Sequence, residues 1–132
     1  GELSDLIKNN EKRMVEIGAL LTHINNYSRT RPVYEAYRRS GYSRNFFEEH
    51  REEIQIHKAA KQAFDQLPDK KIPSRKSLNE EFYRLSAEKK KAYAEYRQVR
   101  KDMQEYLTAK QTVEHILGMD RKKKEEQQQK ER

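Results

Sequence analysis

Residues 78–117, "LNEEFYRLSAEKKKAYAEYRQVRKDMQEYLTAKQTVEHIL", decide the fold. Leu78, Phe82, Leu85, Lys89, Ala92, Tyr96, Val99, Met103, Tyr106, Lys110, Val113 and Leu117 recur at alternating spacings of four and three, which puts them on one seam of a helix. No glycine or proline interrupts the run. At 1.5 Å per residue, a helix of about 40 residues is a rod of about 60 Å. Ser77 with Glu80 can cap its start reciprocally, and Ser74 is the alternative cap. Lys89 and Lys110 on the seam predict interrupted packing there, at a bundle end or through snorkelling stems.

A rod of this kind needs a partner, and the N-terminal segment supplies one. Leu3, Ile7, Met14, Ile17, Leu21 and Ile24 repeat the same spacing, with Asn10 as the polar member, and Leu6, Leu20 and Tyr27 widen the stripe. Gly18 marks either a close helix crossing or a tolerated defect that costs roughly 1 kcal/mol. Pro32 disfavours helical geometry in the residue before it and is welcome in a first turn, so a break near residues 28–31 is expected. A short helix then leads to Gly41, a terminator, and Ser43, an N-cap with Tyr42 and Phe47 placed to clamp the next helix. Pro68 closes that helix.

The expected architecture is all-α: an elongated antiparallel helical bundle with coiled-coil-like packing over residues 1–117. Its helices cover about 4–28, 32–40, 44–67 and 75–117. The long helix is expected to pack on the first and third, with the short second helix capping one end. Gly118 is the expected stop, and residues 118–132 form a charged tail, a frayed helix or a disordered segment.

Composition narrows the function classes. Leu, Ile, Val and Phe make up only 24 of 132 residues beside a net charge of +7, so folding depends on periodicity more than on bulk hydrophobicity. Without cysteine, disulfides and thiolate zinc sites are excluded, and a reducing, cytoplasmic setting is expected. No apolar run is long enough to span a bilayer, so no membrane insertion is expected. The four glycines are isolated, so no phosphate-cradling loop exists. His50 and His57, seven residues apart, lie about 10 Å apart along a helix, too far to share one metal. Glu53 and His57, one turn apart, are a common surface pairing before they are an acid–base pair. No catalytic residue, metal or cofactor is expected. The opening "GELSDL" does not resemble a natural start, and a piece of a longer polypeptide is the expectation.

Two clusters mix cations with aromatics. In residues 31–47, "RPVYEAYRRSGYSRNFF", helical geometry puts Tyr34 and Tyr37 on one face, Arg39 with Glu35 on the other and Arg38 at the border. That division favours a packed junction over a nucleic-acid surface. On the long helix, Lys90, Tyr93, Arg97, Arg100 and Lys101 lie off the seam on neighbouring faces. Residues 71–110 carry eleven Lys/Arg against six Asp/Glu, the strongest positive field in the chain. A tyrosine among cations can stack a base while the cations follow phosphates. A solvated face with Tyr93 at the core edge is the alternative. The candidate nucleic-acid-binding set is Lys90, Tyr93, Arg97, Arg100, Lys101 and Arg38.

At "TRPVYEAYRRSGYSRNFFEEHREEIQIHKAAKQAF" (30–64) and "SLNEEFYRLSAEKKKAYAEYRQVRKDMQEYLTAK" (77–110) the chain resembles the C-terminal helical region of relaxases, the mobilisation nucleases of Gram-positive conjugative and mobilisable elements. The resemblance covers about Leu3 to Leu117. It implies a non-catalytic module beside a separate nicking domain, whose histidine metal site and tyrosine nucleophile have no counterpart here. DNA near the nick, single-stranded or duplex, and accessory transfer proteins are the implied partners. The alternative is a coiled-coil interaction module or homodimer that binds no nucleic acid.

Overall fold

The computed structural model describes residues 1–131, so Arg132 of the expected tail lies outside the described residues. Four helices follow in order: α1 (Glu2–Arg39), α2 (Arg44–Glu49), α3 (Arg51–Asp65) and α4 (Arg75–Glu131). The described residues contain no strand, and none of their helices is long and apolar enough to cross a membrane. The expected all-α, elongated, antiparallel arrangement is what forms.

Its centre differs from expectation. α4 packs on α1, and α3 also packs on α1, so α1 is a spine shared by two antiparallel pairs. The first half of α1 meets α4, as Arg13–Glu81 and Asn10–Leu85 show, and its second half meets α3, as Thr30–His57 and Tyr27–Phe64 show. The pairs overlap at one core of Ile17, Leu20, Ile24, Ala60, Phe64, Leu78 and Leu85. Short turns make this the economical topology, because each returning helix needs only one long apolar face on α1.

Two expected helix boundaries are corrected. α1 continues through Pro32, although that residue removes one backbone hydrogen bond and costs about 3 kcal/mol inside a helix. Burial on both sides of it opposes a break: Thr30 and Tyr37 are buried against α3 and its neighbours. The Thr30 hydroxyl donates to the Asn26 carbonyl at 2.7 Å, adding a local bond in the turn that precedes the proline. α4 likewise continues through Gly118 to Glu131. A lone glycine costs only about 1 kcal/mol, and the Lys, Glu and Gln residues beyond it are good helix formers. The third expected helix is divided at His50 into α2 and α3.

The corner between α1 and α2 forms as expected. Gly41, with φ of 73°, is followed by Tyr42, whose N–H donates to the Tyr37 carbonyl at 3.1 Å, while the Gly41 N–H donates to Arg38. This bond pair closes a helix through a left-handed residue. The Ser43 hydroxyl then accepts from Phe46 N–H and caps α2. Tyr42 and Phe47 do not simply clamp each other; both rings pack on Tyr37, at 5.3 and 6.0 Å between centroids. Phe46 stacks on Tyr37 as well. The aromatics of residues 31–47 are therefore a junction between α1 and α2, with Lys58 of α3 over the Tyr37 ring at 5.9 Å.

Gly18 is exposed, and a Cβ there would meet nothing within 4 Å, so it marks no close crossing.

Candidate nucleic-acid interface

α4 is held in register on α1 by polar contacts between residues 81 and 89. Arg13 grips Glu81 with two hydrogen bonds, Nε to Oε1 at 2.6 Å and Nη2 to Oε2 at 3.1 Å. This bond raises the Arg13 pKa above its ordinary value and lowers that of Glu81 below the usual carboxylate value. Asn10, buried on the seam, donates through Nδ2 to the Leu85 carbonyl at 3.3 Å and to Glu88 at 3.4 Å. Lys89 reaches Glu11 at 3.2 Å. The expected interruption of the seam at Lys89 is thus a snorkelling stem that ends in an ion pair.

Just past these anchors, Ser86, Lys89, Lys90, Tyr93 and Arg97 line one shallow groove on α4. Arg97 lies over the Tyr93 ring, 5.5 Å from its centroid, and Tyr93 as a residue remains 45% exposed. Spacings of three and four residues bring Lys90, Tyr93 and Arg97 together on one helix face. The groove combines a partly open aromatic surface, the cations Lys90 and Arg97 beside the ion-paired Lys89, and a hydroxyl donor. That set can stack a base and neutralise the phosphates on either side of it.

The remaining candidates do not join this groove. Arg100 packs over Tyr96 at 5.9 Å, a second cation–aromatic pair on a neighbouring face. Lys101 lines a separate shallow groove with Gln104, Glu105, Thr108 and Ala109. Arg38 sits with Glu35 and Arg39 on the far part of α1, about 40 Å from Glu11 along the helix axis. Ser86 and Lys89 also belong to the groove, although neither is in the candidate nucleic-acid-binding set. Lys89 was assigned to the seam, and the i, i+3 and i, i+4 neighbourhood of Tyr93 is the signal that would have found both.

His57, on the α1–α3 side, is also tightly constrained. It is 3% exposed and lies between Tyr27 and Tyr34, each stacked at 4.4 Å. Its Nδ1 is 3.0 Å from the Thr30 hydroxyl. That hydroxyl spends its proton on Asn26, so the imidazole donates to it. Burial, then the nearby Arg31 charge, lowers the His57 pKa. This neutral, aromatic-packed histidine is a core element of the α1–α3 pair. Among the described residues, no three His, Asp or Glu side chains are grouped to hold a metal ion.

Comparisons with protein-family models, with curated proteins and with solved structures find no match.

Proposed function

We propose that this chain is the C-terminal helical region of a DNA relaxase, a non-catalytic module that contacts DNA near the nick during conjugative transfer or mobilisation. The two stretches 30–64 and 77–110 support the parentage through their resemblance to that family. The observation that carries the DNA contact is the groove in which Arg97, Tyr93 and Lys90 meet. Single-stranded DNA fits it best, because an exposed ring flanked by cations needs an unpaired base to stack.

The test is a titration with single-stranded and duplex oligonucleotides across a salt series. Binding at low salt is expected. Reversing Lys90 and Arg97 to Glu together should weaken it and flatten the salt dependence, with each lost phosphate contact lowering the slope by about one. Absence of binding at low salt overturns this function.

A second function, a protein-interaction module that binds no nucleic acid, is favoured by a different observation. From Arg97 to Lys130 no residue of α4 is buried, and Val99, Met103, Tyr106, Val113 and Leu117 are each more than half exposed.

A further inference from the structure

We propose that this bare stripe is covered by the same stripe of a second copy of the chain, in an antiparallel two-helix coiled coil centred between Tyr106 and Lys110. The proposal deepens the interaction reading by naming the occupant and its register. The stripe continues the α1–α4 interface directly: Leu78, Leu85 and Ala92 are buried on the seam by the bundle, and the same spacing runs on to Leu117 beyond the stretch that residues 2–39 cover. Apolar surface of this regularity on a helix with no neighbour is the pattern that a second helix covers.

Matching the layers selects the direction. With two chains antiparallel, Val99 lies opposite Leu117 of the second copy, Met103 opposite Val113, and Tyr106 opposite Lys110, each layer occurring twice. Lys110 then meets an aromatic ring, a favourable contact for a cation. On one flank Leu107, itself 47% exposed, meets Leu107 of the other copy, and Arg100 meets Glu114. On the other flank Asp102 faces Ile116, the one mismatch. A parallel pair matches Arg100 with Glu95, but it sets Lys110 against Lys110 inside the seam and Leu107 against Asp102. Like charges in the seam and an apolar residue against a carboxylate make that arrangement the poorer one.

The geometry also gives Gly118 a purpose. The ion pair of Glu11 with Lys89 places the first turn of α1 level with residues just beyond Ala92 of α4. The second copy's helix, continued past Leu117, would run into that turn. In the single chain α4 runs unbroken through Gly118, so this pairing requires the second copy's helix to bend aside there, at the only residue between 78 and 130 that lacks a Cβ. The basic run 121–124 then passes Glu2 and Asp5, which are of opposite charge.

The experiment is sedimentation equilibrium of the full chain over a wide concentration range, with charge exchange. A monomer–dimer equilibrium is expected for the native chain. Arg100→Glu and Glu114→Arg should each weaken dimerisation roughly tenfold, since each change makes two like-charge pairs. The double variant should restore it. Within one chain these residues are about 21 Å apart along the helix, so rescue can only come from the other copy. Val113→Asp should leave a monomer whose thermal melting matches that of the native chain at dilutions where the native chain is also monomeric. A chain that stays monomeric at all concentrations overturns the proposal, as does a dimer that the double exchange fails to rescue. DNA binding in the titration above defeats the interaction reading in its form without nucleic acid, so the two failures are separable.

Discussion

Residues 75–96 and 97–131 belong to one unbroken helix whose heptad pattern runs from Leu78 to Leu117, yet they live in different environments. The first part contributes Leu78, Leu85 and Ala92 to the core and is tied to α1 at Glu81, Leu85 and Lys89. The second part, as far as Lys130, contributes nothing to it and exposes Val99, Met103, Tyr106, Val113 and Leu117. Residues 2–39 of α1 lie against α4 only as far as about Tyr96. The candidate groove lies at this transition, where α4 is still held rigidly while one face is already open.

Substitutions should separate the two parts sharply. Ile17→Ala removes a fully buried side chain from the common core and should cost about 2–5 kcal/mol in chemical denaturation. Val113→Ala, on the bare part, should change the stability of dilute protein by less than about 0.5 kcal/mol. Equal losses at the two positions would mean that the distal part is covered within one chain.

Glycine replacement sharpens the contrast with the opposite sign. Gly18→Ala lies on a helix in the covered region with open space at Cβ and should raise stability by about 0.5–1 kcal/mol. Gly118→Ala should increase helical ellipticity with little change in the melting midpoint. Calorimetry and circular dichroism read the two effects separately.

The cross-helix ion pair comes next in size. Arg13→Ala removes the two bonds to Glu81, but with both side chains partly open to solvent, the loss should stay below about 1 kcal/mol and shrink in high salt. A loss that does not depend on salt would assign the role of Arg13 to the packing of its stem.

The α1–α3 pair has its own signature in pH. Because the folded state holds His57 below its ordinary value of 6.5, the unfolded chain binds the proton first as pH falls. Stability should therefore be level above about 6.5 and decline below it toward the folded value, after which this contribution is constant. His57→Leu should remove that slope above the carboxylate range, and melting curves across pH would show it. Signals confined to the distal part of α4 should not follow this titration.

Much of the architecture was legible. The stripes on α1 and α4, the Gly41 and Ser43 corner and the absence of strands all follow from periodicity and from local backbone preferences. Lys90, Tyr93 and Arg97 were legible as a group because their spacing alone puts them on one helix face. Arg100, Lys101 and Arg38 were not separable from them in the same way, since charge and aromatic content say nothing about which groove a side chain enters. The breaks expected at Pro32 and Gly118 failed for a related reason. The penalty at each residue is real, but whether it ends a helix depends on burial around Pro32 and on the helix formers beyond Gly118.

By itself, the sequence determined that the chain is helical, where its apolar faces run and how the α1–α2 corner turns, because these are properties of neighbouring residues on one backbone. Only the tertiary structure decided that α1 serves two partners, that the residue 31–47 aromatics close a junction, and that α4 loses its cover after Tyr96. An apolar stripe records the need for a neighbour, whereas the identity and reach of that neighbour depend on where distant segments end in space.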